Sequence, residues 1–263
     1  MHRVFLYLLL PAWLCLSVAY AQYNSFPPGV FSNTAARGGG SAALGLQTSV
    51  AAMWEFETTG WLDSSGAGNT LTASGTPPTS VSGGKPGNAV HLVTASSESL
   101  THASNAGLSV GGGNFSVQCW VKAVSSVGQW CSKDNGGFAN REFSFEGIFT
   151  SSNVYSCVFY LVGGGNQIVN STVTLDANWH HLVMTWDGTT VRLYVDAGTA
   201  FTAVPISGGV ASTSAVFVGT GGGGTFADAD VDQFVIWKAR VLTPTEIGLL
   251  YNSGSGLSWA GML

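Results

Sequence analysis

Charge is scarce in this chain: nine Lys and Arg and fourteen Asp and Glu make up 9% of its 263 residues, where a soluble domain ordinarily has about a quarter. The net charge is -5. With so few cations no basic stripe can form, which excludes an electrostatic grip on nucleic-acid phosphates and disfavours anionic membranes. Cysteine is scarce too, and of the four present Cys15 falls in the N-terminal apolar run. Cys119, Cys131 and Cys157 remain, an odd number that permits at most one internal disulfide in an exported protein. Each stands among apolar residues, where a free thiol packs as a small hydrophobe. Beyond the first twenty or so residues no apolar run is long enough to span a bilayer. What the chain has in quantity is glycine, 36 residues, and therefore turns.

The beginning of the chain reads as an export signal. Met1-His2-Arg3 is positive, residues 4–18 are almost wholly apolar, and Ala19-Tyr20-Ala21 is a small-x-small cleavage site. The expected mature protein is thus secreted, with no membrane span after the signal (residues 1–21) is removed. Residues 22–47 contain Pro27-Pro28-Gly29 and Gly38-Gly39-Gly40 without any sustained period, the composition of a flexible linker. A domain is expected over residues 48–263.

Its centre is the stretch from Trp179 to Asp196. Leu182, Met184 and Trp186 alternate on one face, Val191, Leu193 and Val195 alternate after them, and Asp187-Gly188 lies between. That is the pattern of a β-hairpin with one buried face and a tight reversal through positive φ. His180 and His181 are adjacent and so point to opposite sides of a strand, which suits packing and hydrogen bonding better than joint metal ligation. Short strands at regular spacing with abundant turns predict an all-β protein, an antiparallel two-sheet sandwich. Near the end, Thr243 as N-cap, Pro244 at the first helical position and Glu246 completing a capping box predict one short helix, with Leu242 and Ile247 as its hydrophobic staple and Gly254 after its last turn.

Trp179-His180-His181-Leu182, Thr185-Trp186-Asp187-Gly188 and Val191-Arg192-Leu193-Tyr194-Val195-Asp196 together resemble the central signature of the laminin-G-like and pentraxin-like jelly rolls of concanavalin A type. Further matches are Trp54-Glu55-Phe56-Glu57, Asp63-Ser64-Ser65-Gly66, Gly84-Lys85-Pro86-Gly87-Asn88-Ala89, Phe115 to Lys122, Val231 to Trp237 and Leu242-Thr243-Pro244. The resemblance runs from about Val50 to Tyr251 and implies a jelly-roll sandwich. The disulfide that pentraxins place near here is not carried over, because Val183 stands at the second position.

The resemblance also implies a class of function: a secreted, non-catalytic module that binds a glycan or glycoconjugate. The alternative is an adhesion or assembly domain that recognises an extracellular protein. Trp120 and Trp130 are the candidate sugar platforms. Asp63 and Asn69 in a glycine-rich loop, with Asp228, Asp230 and Asp232 at alternate strand positions, are oxygen donors suited to calcium, and the sandwich would have to bring the two sets to one edge. The Asp63 loop can equally be a turn held by its own side chain. Glu142, Ser144 and Glu146 share a strand face and look like the Glu-x-Asp-x-Glu strand of the laminarinase-like glycosidases, with Ser144 in place of the central aspartate. A solvated strand face produces the same alternation. Asn114-Phe115-Ser116 and Asn170-Ser171-Thr172 match the N-glycosylation acceptor pattern.

Overall fold

The computed structural model describes residues 44–125, 128–147 and 153–263. Among them fifteen strands follow in order: β1 (Val50–Trp54), β2 (Thr72–Ala73), β3 (Thr79–Gly84), β4 (Gly87–Leu92), β5 (Leu100–His102), β6 (Phe115–Ala123), β7 (Gln129–Asp134) and β8 (Arg141–Glu146), then β9 (Val154–Tyr160), β10 (Asn166–Thr174), β11 (Trp179–Trp186), β12 (Val191–Val195), β13 (Phe201–Ala203), β14 (Val216–Val218) and β15 (Ala229–Lys238). One helix, α1 (Pro244–Tyr251), comes after them. The strands form two antiparallel sheets. The eight-stranded sheet runs β13-β12-β11-β6-β15-β4-β3, with β1 paired to the far half of β15, and the seven-stranded sheet runs β10-β9-β8-β7-β14-β5-β2. This is the expected jelly-roll sandwich.

Period-two alternation explains the core. Cys119 lies opposite Leu182 and Val117 opposite Met184, so β6 and β11 send one apolar row inward from the eight-stranded sheet. Phe143, Phe145, Cys157 and Phe159 meet it from the other sheet, with Phe115 6.0 Å from Phe143 and Phe159 4.7 Å from Trp186 between ring centroids. Burying each such large side chain contributes about 1.5–3 kcal/mol. The three described cysteines are free and buried. Cys131 contacts Cys119 across the core, and burial pushes its thiol well above the usual range.

A second apolar cluster lies outside the eight-stranded sheet. Met53, Val183, Val235 and Trp237 of the sheet meet Ile247 and Leu250 of α1, together with Leu46, Leu242 and Met262. The capping box forms as expected, and both staple residues join this cluster. The left-handed residue that ends α1 is Asn252, φ 47°, while Gly254 takes its own positive φ of 88° two residues later. The domain also starts earlier than residue 48. Leu44 and Leu46 donate their N–H groups to Leu263 and Met262 carbonyls, Trp237 Nε1 donates to the Leu46 carbonyl at 2.7 Å, and Leu46 is fully buried. Glycine-rich surroundings hid this short anchored piece. The signal and the rest of the expected linker lie outside the described residues.

The central hairpin differs from the expected tight reversal. Trp186 pairs with Val191, leaving a four-residue loop in which Gly188 alone has positive φ, 93°. Asp187 acts through its side chain, accepting from Thr189 and Thr190 N–H at 2.9 and 2.8 Å.

Candidate functional site

The face of the seven-stranded sheet that points away from the core is polar. In register, Ser132 lies opposite Ser144 and Ser144 opposite Val158, while Gln129 lies opposite Glu146 and Glu146 opposite Ser156. The alternate residues Cys131, Phe145 and Cys157 go to the core. Glu146 Oε2 accepts from Gln129 Nε2 at 2.9 Å and from Ser144 Oγ at 3.2 Å. The same Gln129 amide reaches Asp134 Oδ2 at 3.2 Å. Asp134 Oδ1 holds Arg141 Nε at 2.7 Å, and the Arg141 guanidinium lies over the Tyr160 ring at 5.3 Å. Ser132 Oγ donates to the Thr220 carbonyl, and Ser156 Oγ to Asn170 Oδ1.

Three polar atoms of this layer are out of water and without a hydrogen bond: Gln129 Oε1, Glu146 Oε1 and the Tyr160 hydroxyl, which has Ser144 nearby but not in hydrogen-bonding geometry. Leaving such an atom unpaired costs about 1–3 kcal/mol, and Gln118 Nε2 and Thr185 Oγ1 in the other sheet share the condition. Burial pushes the Glu146 carboxyl up to about 7; hydrogen bonds from Gln129 and Ser144 oppose this, Asp134 adds to it and Arg141 offsets part. Gly221 closes one side, where an added Cβ would lie 1.3 Å from Gln129 Oε1. The sequence analysis missed Gln129, Asp134, Arg141, Ser156 and Tyr160, because the signal lies in the polar positions of three strands lining up in register. No single strand contains it.

Glu142 and Glu146 do not share this face. The β7–β8 ladder pairs Lys133 with Phe143 and Asp134 with Arg141, leaving Glu142 as an unopposed bulge residue. Its carboxylate turns toward the loops at the end of the sandwich. There Oε1 accepts from Ser109 Oγ, Ser212 N and Ser212 Oγ, and Oε2 from Val110 N and Gly111 N. Lys133 Nζ lies 3.2 Å away, and both side chains are fully buried. The solvated strand face expected for Glu142, Ser144 and Glu146 is therefore corrected: all three are buried. A cavity of about 500 Å³ opens nearby, lined by Ser104, Asn105, Ser109, Ser212 and Thr213 among others. The Ser109 and Ser212 hydroxyls are already engaged with Glu142.

The candidate tryptophans are corrected as well. Trp120 belongs to the outer row of the eight-stranded sheet with His181 and Asp232, but it is stacked 5.0 Å from His181 and 5.6 Å from Tyr251 and is 1% exposed. Trp130 lies in the inter-sheet core 5.5 Å from Tyr155 and is wholly buried. Neither offers a ring to a sugar.

Four of the five expected calcium donors have hydrogen-bonded side chains. Asp63 Oδ1 accepts from Met53 N, Ser65 N and Ser65 Oγ, and Oδ2 from Asn69 N and Asn69 Nδ2. Asn69 Oδ1 accepts from Asn105. Asp230 pairs with His91 Nδ1 at 2.6 Å and Lys122 Nζ at 3.4 Å. Asp232 is buried and accepts from the Lys85 and Gln233 N–H groups, and burial pushes its carboxyl up. Asp228 uses its carbonyl to accept from Val124 N. The described residues contain no group of three or more His, Cys, Asp or Glu able to hold a metal ion.

A laminin G family model, described as the concanavalin A-like lectin/glucanases superfamily, matches residues 94–248, more than half of the chain. The chain belongs to this superfamily. Solved structures agree on the fold. The binding domain of Paraclostridial Mosquitocidal Protein 1 is similar with a TM-score of 0.64 at 16% identity, over 80% of this chain and 53% of that one. Domain 4 of AbnA, a GH43 extracellular arabinanase from Geobacillus stearothermophilus solved with arabinotriose, gives 0.60 at 14% identity over 76% and 96%. The binding domain of Botulinum Neurotoxin DC solved with SialylT gives 0.57 at 16% identity over 79% and 52%. The superfamily member described here thus spans about half the length of the toxin binding domains it resembles. No curated protein sequence matches it. No described helix is long and apolar enough to cross a membrane.

Proposed function

We propose that this superfamily member is an exported, non-catalytic glycan-binding module. The reading is supported by the concanavalin A-like lectin/glucanase sandwich to which the chain belongs. The likeness to domains solved with arabinotriose and with SialylT is consistent with a glycan ligand. Hydrolysis is disfavoured by the local arrangement. The second carboxylate near Glu146 is Asp134, and the Gln129 amide that bridges them fills the space where a scissile oxygen and its water would have to lie. Calcium is a separable part of the proposal.

A glycan array probed with the purified protein, in millimolar calcium and in chelator, tests this. Saccharide binding in either condition supports the reading, and loss in chelator would add an ion to it. A blank array in both conditions, with binding to an extracellular protein instead, would move the function to adhesion or assembly.

A further inference from the structure

Resting on the glycan-binding reading, we propose that the saccharide subsite is the groove at the end of the sandwich between residues 104–114, which precede β6, and residues 211–213, which precede β14, and that it takes a neutral, hydroxyl-rich ligand. Cavities of about 500 and about 350 Å³ share Ala106, Ser109 and Ala211 there, so they form one groove. Each lies in the range of roughly 300–1,000 Å³ usual for ligand sites. A ligand can reach it, because Ala106, Asn114, Ala211 and Thr213 are exposed and Ser109 and Ser212 half-buried.

The groove is shaped in advance, because a fully buried ion pair holds both of its walls. Glu142, with Lys133 at 3.2 Å, accepts from Ser109 Oγ, Val110 N and Gly111 N of one wall and from Ser212 N and Oγ of the other. Lys133 Nζ continues to Ser104 Oγ at 3.1 Å and to the Ser214 carbonyl at 2.6 Å. A Cβ on Gly111 would lie 1.4 Å from the Val210 carbonyl oxygen, so glycine lets the two walls meet backbone to backbone. Breaking a buried pair of this kind is costly, and walls held fixed by it lose little freedom when a ligand binds.

The chemistry that the groove presents is uncharged. Among the described residues its one charged lining group is Lys238, whose ammonium donates to the Ala106 carbonyl, and no aromatic ring lines it. Ser109 gives its proton to Glu142, which leaves its oxygen two lone pairs for O–H donors. The Thr213 hydroxyl and the Asn114 amide have no hydrogen-bond partner among the described residues. This set of donors and acceptors fits sugar hydroxyls, and recognition through them is nearly indifferent to salt.

The experiment compares the full chain and its variants on one array of neutral oligosaccharides that includes arabinotriose and N-acetyllactosamine. Ala106→Trp and Ala211→Trp each put an indole into the groove from an exposed position common to both cavities. Each should lower binding at least about tenfold while melting as the wild type does, and using two positions leaves one to decide if the other fails to fold. Thr213→Ala, which removes only an exposed hydroxyl, should lower binding about threefold. Leu249→Trp, exposed on α1 away from the groove, should bind as the wild type. Wild-type binding should change less than about twofold between about 0.05 and 0.5 M salt. Undiminished binding by the groove variants, an equal loss in Leu249→Trp, or binding that collapses in salt would overturn the groove as a neutral-sugar subsite while leaving glycan binding standing. No saccharide bound by the wild type would instead overturn the glycan-binding reading, and this inference with it.

Discussion

Two buried titratable side chains pull the stability of this domain in opposite directions. Glu146, raised from 4.5 to about 7 by burial, binds its proton more tightly folded than unfolded. Its contribution is therefore fully present below about pH 4.5 and is lost as pH rises through 7. The shift corresponds to about 3 kcal/mol, and Glu146→Gln should remove that slope from denaturation curves taken between pH 4.5 and 8. His181 works the other way. Burial lowers it to about 3, and its Nε2 lies 3.0 Å from Gln118 Oε1, so it stays neutral in the fold. Stability from His181 is complete above about pH 6.5 and is lost as pH falls toward 3. A broad optimum where the two windows overlap, from about pH 4.5 to 6.5, is the expected result; a wild-type slope unchanged by Glu146→Gln would mean that Glu146 ionises as freely folded as unfolded.

At the scale of elements, a side chain that the sequence offers as a calcium donor also fastens a loop. The five hydrogen bonds to Asp63 tie residues 63–69 to β1, and Trp54 Nε1 adds a bond to the Asn69 carbonyl at 2.7 Å. Asp63→Ala should cost at least about 2 kcal/mol. The melting temperature should fall equally in chelator and in millimolar calcium if the carboxylate serves as this fastening, and mainly in calcium if it serves an ion. The glycine run after β14 has a comparable positioning role for the polar face. Because a Cβ on Gly221 would sit 1.3 Å from Gln129 Oε1 and 3.3 Å from Asp134 Oδ2, Gly221→Ala should displace the Gln129 amide. Glu146 and Asp134 would then lose the hydrogen bonds of that amide, and denaturant unfolding should show a loss of at least about 1 kcal/mol.

Across the whole molecule, the two ends of the described domain are fastened together outside the eight-stranded sheet. Leu46 lies fully buried in the cluster that α1 and Met262 complete, while its carbonyl receives the Trp237 indole. Leu46→Ala should cost about 2–4 kcal/mol by leaving a cavity there, measured by denaturant unfolding of the full chain. A cost under about 0.5 kcal/mol, as at an ordinary surface position, would place Leu46 outside the cooperative fold.

The sequence by itself determined the sandwich, its family, the capped helix and the central hairpin, because these depend on periods and spacings within a few residues: Leu182, Met184 and Trp186 inward, or Thr243 reaching Glu246. It did not determine which faces meet water. Trp120 and Glu146 are both outward-facing strand residues, and only packing buries the first beneath Tyr251 and leaves the second with an unpaired oxygen. Nor could it separate Glu142 from Glu146, four residues apart on one strand. A bulge of one residue against β7 reverses the side to which a strand residue points, and that bulge exists only once the two strands are paired. Local sequence sets the alternation, while pairing register and the elements that dock on each face decide what the alternation exposes.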